Sequence, residues 1–182
     1  MAEQLTQRAD LSDLIAAGIR DIPDFPKPGV TFKDITPLLA TPEALRAVVS
    51  AVAEQYGTDG VDAVVGLEAR GFILATPIAL ELGAGFIPVR KAGKLPARTL
   101  RESYDLEYGT ATVEMHADAI TPGSRVLIVD DVLATGGTGR AAVELVRRAG
   151  GTVVGFSVLM ELAFLQGRDQ LTDVDVHALT VV

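Results

Sequence analysis

"VLIVDDVLATGGTG", residues 126–139, is the stretch whose reading decides the fold. The apolar residues Val126 to Val129 run straight into two adjacent aspartates, and a Thr-Gly-Gly-Thr loop follows. An unbroken apolar run bounded by turn residues reads as a strand buried on both faces. Ala142, Leu145, Val146 and Ala149 then repeat at helical spacing until Gly150-Gly151 ends the pattern. Strand, loop and helix in that order belong to open α/β sheets, which bind ligands beyond the carboxyl ends of their strands.

The loop and the aspartates make opposite demands on a ligand. Backbone N–H groups, the hydroxyls of Thr135 and Thr138 and the positive end of the helix suit a phosphate. The loop has no lysine and no G-x-x-x-x-G-K-[ST] spacing, so it is not a nucleoside-triphosphate loop, and the three-glycine dinucleotide fingerprint is absent too. Asp130 and Asp131 need donors or a metal ion to hold their like charges together. Vicinal sugar hydroxyls are such donors, and magnesium nearby would help. A sugar phosphate satisfies both halves of the stretch.

Working outward, residues 61–66, 86–91, 110–117, 125–131 and 152–160 read as strands, with a last one within 174–182. Helical spacing marks Leu11, Leu14, Ile15 and Ile19, ending before Pro23, and Leu45, Val48, Val49 and Val52 behind Thr41 as N-cap and Pro42 as first helical residue. Residues 72–83 read as a helix, against which Pro77 counts. Residues 21–39 carry four prolines, three of them by Pro28, and read as stiff and irregular. Strands alternating with helices predict an α/β fold, a mainly parallel sheet flanked by helices. The hairpin-like stretch 99–117 breaks that rhythm as a lid would.

The 182 residues allow one α/β domain, 1–182, and 48% apolar composition with a mean hydropathy of +0.32 describes a folded chain. A net charge of −8 argues against a nucleic-acid partner held through its phosphates. No cysteine is present, which excludes disulfides and thiolate metal sites, and two histidines are too few for a multi-histidine zinc site. The first residues lack a signal-peptide layout, and the apolar stretch 71–89 is interrupted by Pro77, Glu81 and Pro88. The expectation is a cytoplasmic protein without membrane attachment.

The opening stretch resembles the phosphoribosyl pyrophosphate signature of the type I phosphoribosyltransferases. "DFPKPGVTFKDITPLL" (24–39), "GLEARGF" (66–72), "VRKAGKLP" (89–96) and "SYDLEYGTATVEMHADAI" (103–120) resemble, in order, the blocks of the adenine phosphoribosyltransferases. The resemblance implies the type I fold with a small hood, to which residues 1–40 contribute the base-binding segment, and a flexible lid loop. It implies transfer of ribose 5-phosphate from phosphoribosyl pyrophosphate to adenine, giving AMP and pyrophosphate with magnesium (Mg2+), in a homodimer.

Residue by residue, the resemblance assigns the 5′-phosphate to Ala134, Thr135, Gly136, Gly137 and Thr138, and the ribose hydroxyls to Asp130 and Asp131. Magnesium would ride on the substrate near those aspartates, with no direct protein site. Glu68, Ala69 and Arg70 form the pyrophosphate loop, whose Glu68-Ala69 peptide tends to be cis in the family; Arg70 also has a catalytic place. On general grounds a lone arginine in such a loop would be an ion-pair partner in the core. Arg90 and Lys91, and more loosely Lys94, would neutralise the leaving pyrophosphate. In the lid, Glu107 resembles the acid–base group that exchanges a proton with adenine, beside Tyr108. Val30, Thr31, Phe32 and Lys33 match the base-binding segment, with Phe32 stacking on the ring and Leu162 as the opposite wall. His116 and His177 read as structural.

Two alternatives share these residues. The Asp-Asp loop serves any base of the superfamily, so a hypoxanthine- or xanthine-type transferase fits it equally; the adenine choice rests on 24–35 and 103–109. A regulator that senses phosphoribosyl pyrophosphate without turnover would want a DNA-binding module, for which the first twenty residues are too short.

Overall fold

The computed structural model describes residues 11–105 and 109–182, and its backbone gathers into two compact units, Met1–Ala51 and Val52–Val182. In the first, helix α1 (residues 11–18) ends before Pro23 as its pattern requires, with Ile15 fully buried. A Cβ on Gly18 would lie 2.8 Å from the Leu38 Cβ, so the end of α1 sits directly on helix α2 (Thr36–Leu39). Strands β1 (Arg20–Ile22) and β2 (Phe32–Asp34) pair antiparallel between the two helices.

That pair corrects the reading of 21–39 as wholly irregular. Pro23, Pro26 and Pro28 fall in the connection between the strands, where no ladder N–H is needed, and Pro37 sits in the first turn of α2, where its missing donor costs nothing. Asp34 ties the motif together: its carboxylate accepts from Arg20 Nη2 at 2.6 Å and from the Thr36 amide and hydroxyl at 2.9 Å each. The Thr36 amide first, then Arg20, hold this carboxyl down at about 2. Helix α3 (Pro42–Tyr56) starts at the expected proline, while the Thr41 hydroxyl donates backward to the Pro37 carbonyl.

The second unit is built on a seven-stranded sheet in the order β5-β6-β4-β3-β7-β8-β9. Its strands are β3 (Ala63–Leu67), β4 (Gly85–Lys91), β5 (Thr99–Asp105), β6 (Thr110–His116), β7 (Arg125–Leu133), β8 (Thr152–Glu161) and β9 (Val176–Val181). From β4 through β9 all neighbours are parallel; β6 and β5 add an antiparallel hairpin at one edge. The mainly parallel sheet is as expected, and β7 runs two residues past the aspartates.

Helices α4 (Gly71–Leu82) and α5 (Gly137–Arg148) cover opposite faces. Val65, Leu67, Ile128 and Phe156 join Ala142, Leu145 and Val146 of α5 in one core cluster. On the other face a Cβ on Gly66 would fall 2.8 Å from that of Ala75 in α4, so the alternation of β3 divides cleanly between two helices. This is why β3 is buried along its whole length. Helix α4 stays regular through Pro77, with Thr76 donating its hydroxyl to the Phe72 carbonyl and Gly83 capping the end at φ +65°. Among the described residues no helix is long and apolar enough to cross a membrane.

Glu114, in the middle of β6, departs from the half-exposed alternation expected of 110–117: it is fully buried. Its Oε1 accepts the amides of Gly93, Lys94 and Leu95 at 2.9–3.0 Å, and its Oε2 accepts from Thr99 Oγ1 and Arg101 Nε. One carboxylate thereby shapes the connection between β4 and β5. Burial alone would raise its pKa, but the Leu95 and Lys94 amides, the Thr99 hydroxyl and the Gly93 amide outweigh burial, and the group titrates below the ordinary 4.5. Stability gained from a lowered pKa is complete above the ordinary value and lost as pH falls through the lowered one. Glu114→Gln should therefore cost about 2 kcal/mol near neutral pH. The gap in melting temperature between wild type and variant should narrow as the pH drops below 4.5, read by thermal scans in a pH series.

Candidate active site

Parallel strands place the ends of β3, β4, β7 and β8 along one edge of the sheet. The chain leaves β3 towards β4 on one side, while β7 lies on the other. A crevice between β3 and β7 is therefore the place where such a sheet receives a ligand. A cavity of about 260 Å³ opens there, lined by Glu68, Ala69, Arg70, Lys91, Tyr104, Asp130, Asp131 and Thr138 over an apolar floor of Leu67, Val89 and Val113. A second recess of about 70 Å³ adjoins it, lined by residues 132–139 together with Asp130 and Phe156. Asp130 and Thr138 border both.

Arg70 caps the start of α4, and its Nε lies 2.6 Å from Oδ2 of the buried Asp131. The two readings of Arg70 thus coincide, since it is an ion-pair partner and also lines the cavity. Asp130 Oδ1 accepts the Asp131 amide at 2.9 Å. Burial first, and then the charge of Asp131, push the Asp130 carboxyl well above its ordinary range. The first turn of α4 presses against it, and a Cβ on Gly71 would sit 2.8 Å from Asp130 Oδ1 and 3.0 Å from the Val129 carbonyl oxygen. Only glycine permits that approach.

Residues 134–138 close the second recess. Gly136, at φ +85°, turns the chain into α5, whose first turn holds no acid and whose last turn carries Arg147 and Arg148. Both features suit a helix that offers its amino end to an anion. The turn is wedged from outside: a Cβ on Gly136 would lie 2.9 Å from that of Gln170, and one on Gly167 would lie 3.0 Å from Leu133 Cδ1. Leu162, half-buried just after β8, donates its amide to the Leu133 carbonyl at 2.9 Å, so the expected base wall is fastened to the strand end that leads into the expected phosphate loop. Glu161, just before it, is held by Arg168 Nε at 2.8 Å on both carboxylate oxygens.

The Glu68-Ala69 peptide is cis, as the resemblance anticipated. Glu68 itself is turned to the basic strand end, where its Oε2 accepts the Lys91 amide at 3.0 Å and Arg90 Nε at 3.2 Å. Burial would raise this carboxyl, yet the Lys91 amide and the Arg90 guanidinium together lower it. Arg90 also donates Nη1 to the Lys94 carbonyl at 3.1 Å. Of the three basic residues, Lys91 lines the large cavity; Arg90 and Lys94 stand outside its lining and shape the loop.

The base-binding residues belong to different units. In the first, Val30 and Phe32 are half-buried and Thr31 is exposed. Phe25 meets Phe32 edge-on at 5.2 Å, and Lys33 Nζ pairs with Asp21 at 2.8 Å. Glu107 and Tyr108 lie outside the described residues. Neither histidine lines either cavity.

Gly71, Glu114, Tyr104 and Gly167 are the site-building residues that sequence reasoning missed. The signal for Glu114 was present, an acid between Val113 and Met115 in an otherwise apolar half-strand. The three others act through close approach or a single hydroxyl contact, which no spacing rule encodes.

A family model for the phosphoribosyl transferase domain matches residues 34–180. An adenine phosphoribosyltransferase of Thermobifida fusca (strain YX) is 70% identical over 173 residues, covering 95% of this chain and 98% of the relative. The crystal structure of adenine phosphoribosyltransferase from Rhodothermus marinus superposes with a TM-score of 0.91 at 55% identity, covering 96% of this chain and 99% of that one. The Saccharomyces cerevisiae adenine phosphoribosyltransferase, complexed with an imino-altritol bisphosphate and adenine, gives 0.89 at 38% identity, covering 94% and 99%. A sheet edge that pairs an aspartate dyad with an anion loop, matched across the chain in this way, places the protein among the phosphoribosyltransferases, in the adenine phosphoribosyltransferase family.

Proposed function

We propose that this chain transfers the ribose 5-phosphate of phosphoribosyl pyrophosphate to adenine, releasing AMP and pyrophosphate. The observation that carries the reading is the shared border at Asp130 and Thr138. One ligand lying across it meets carboxylates on its sugar hydroxyls and an amide cradle on its phosphate. The choice of adenine rests on the adenine-type relatives, 70% identical in the case quoted.

In this reading Ala134, Thr135, Gly136, Gly137 and Thr138 hold the 5′-phosphate, and Asp130 and Asp131 take the ribose hydroxyls. The backbone of Glu68-Ala69-Arg70, together with Lys91, faces the diphosphate, while Arg90 and Lys94 keep the basic loop in shape. Adenine N9 forms the bond to C1′ as the C1′–oxygen bond breaks, and the electron pair leaves with pyrophosphate. The N9 proton passes to Glu107, with Tyr108 beside it closing the site against water, which would otherwise capture the oxocarbenium-like centre. Phe32 is assigned to stack on the adenine ring and Val30, Thr31 and Lys33 to read its edge, and Leu162 is assigned as an apolar wall for the base. Residues 1–40 thus serve one enzyme domain, 1–182.

Magnesium fits this donor set as a passenger of the substrate. Among the described residues no group of three or more carboxylates and imidazoles is poised to hold a metal. Two carboxylates plus substrate oxygens are an ordinary magnesium environment. Asp130 and Asp131 are the carboxylates nearest to such an ion, which when bound supplies charge neutralisation to the diphosphate. A homodimer is supported by Ile73 and Leu80, exposed seven residues apart on α4, and light scattering on the purified protein reads it directly. The place of action is the cytoplasm.

The deciding experiment supplies phosphoribosyl pyrophosphate and magnesium with adenine, hypoxanthine, guanine, xanthine or orotate in turn. AMP should form from adenine far faster than any other nucleotide, and its absence sinks the reading. Asp131→Asn should lower kcat/KM for phosphoribosyl pyrophosphate by roughly 10- to 150-fold, the worth of a hydrogen bond to a charged group. Gly71→Ala forces α4 away from Asp130 and should raise KM for the same substrate by roughly tenfold or more. Glu107→Gln should reduce kcat by at least about a hundredfold while calorimetry finds ribose 5-phosphate bound as before. Normal turnover in that variant would remove Glu107 from its role.

A further inference from the structure

One contact at the site has no part in the chemistry above. Tyr104, the sixth residue of β5, reaches from the β5–β6 hairpin to the start of α5, where Thr138 Oγ1 donates to its hydroxyl at 2.9 Å. Its ring lies flush on the helix start, since a Cβ on Gly137 would be 2.9 Å from Tyr104 Cδ2. The strand that carries it is fixed on both sides. β6 pairs with it without a break from Thr99↔His116 to Asp105↔Thr110. Arg148, near the end of α5, donates Nη1 to the Arg101 carbonyl at 2.7 Å and pairs with Glu102 at 2.6 Å.

We propose that Tyr104 is a positioning residue for the phosphate loop: its hydroxyl sets the Thr138 hydroxyl to donate to the 5′-phosphate of phosphoribosyl pyrophosphate. The proposal rests on the assignment of residues 134–138 to that phosphate. A threonine hydroxyl has one proton to give. When an anion enters the recess, that proton turns to it, because a bond to a charged acceptor is about twice as strong as one to a neutral hydroxyl. Tyr104 then reverses and donates its own O–H to Thr138 Oγ1. The exchange needs only two O–H rotations, whereas removing Tyr104 would break a packed ring and a paired strand. The resulting chain, Tyr104 to Thr138 to phosphate, polarises the central hydroxyl and makes it a better donor. The tyrosine therefore strengthens the grip on phosphate and does not compete with it.

Tyr104→Phe keeps the ring on Gly137 and removes only the hydroxyl. KM for phosphoribosyl pyrophosphate and the Kd of ribose 5-phosphate, measured by calorimetry, should both rise about three- to tenfold. The value of kcat and the KM for adenine should stay within about twofold, and the melting temperature should hold. In a Thr138→Ser background the tyrosine change should keep its effect; in a Thr138→Val background it should add nothing. An unchanged or lower KM in Tyr104→Phe overturns the proposal, as does a full additional loss on top of Thr138→Val. If Thr138→Val alone leaves ribose 5-phosphate binding unaltered, the loop assignment falls and the proposal with it.

Discussion

The pairing of Arg70 with Asp131 at 2.6 Å joins the ends of two neighbouring strands, and the site is organised around it. β3 leads to a cation, Arg70, whose side chain is 31% exposed, and β7 carries two adjacent anions, of which Asp131 is buried. Each charge alone would be costly there; together they fix the turn into α4 beside the turn into α5. The amino ends of the two helices then converge on the same crevice, so anion-binding amides and anionic carboxylates share one small volume. That arrangement selects a ligand with both phosphate and hydroxyl groups.

The acids of this chain are therefore not spread as a uniform field. Glu68 and Glu114 are spent on shaping the basic segment between β4 and β5, accepting backbone amides at short range. A chain with net charge −8 can in this way keep Lys91 on the lining of the cavity, beside Arg70. Both carboxylates are turned onto backbone N–H groups of that segment.

The parallel sheet was legible because its central strands are buried on both faces and read as unbroken apolar runs, residues 126–129 most clearly. That Asp130, Asp131 and residues 134–138 gather at one strand end was legible because an apolar run followed by acids and a Thr-Gly-Gly-Thr turn carries its meaning in residue type and spacing. The β1–β2 pair was not, because its prolines dominate the local reading although they lie in its connection. Helix α4 was legible despite Pro77, and Leu74, Ala75 and Ile78 bury it firmly enough to stay regular there. Glu114 escaped because alternation puts a charged residue in water unless several distant donors converge on it, and residues 93–95, 99 and 101 cannot be matched to 114 by spacing alone. The base specificity came from the resemblance of whole blocks and not from the physics of single residues.

The interlocking of Gly136 with the segment after β8 has a consequence for redesign. Gly136 and Gly167 approach their neighbours with no room for a methyl group, and Leu162 is tied to the Leu133 carbonyl in the same zone. The loop proposed to hold the sugar phosphate and the wall proposed to face the base are thus a single casting. An altered nucleobase preference cannot be grafted by exchanging the β8–β9 connection as a free cassette. A replacement that omits the glycine at 167 or changes the spacing from 162 to 167 would reshape the phosphate recess. Side chains such as Leu162 can vary within that frame; the backbone path cannot.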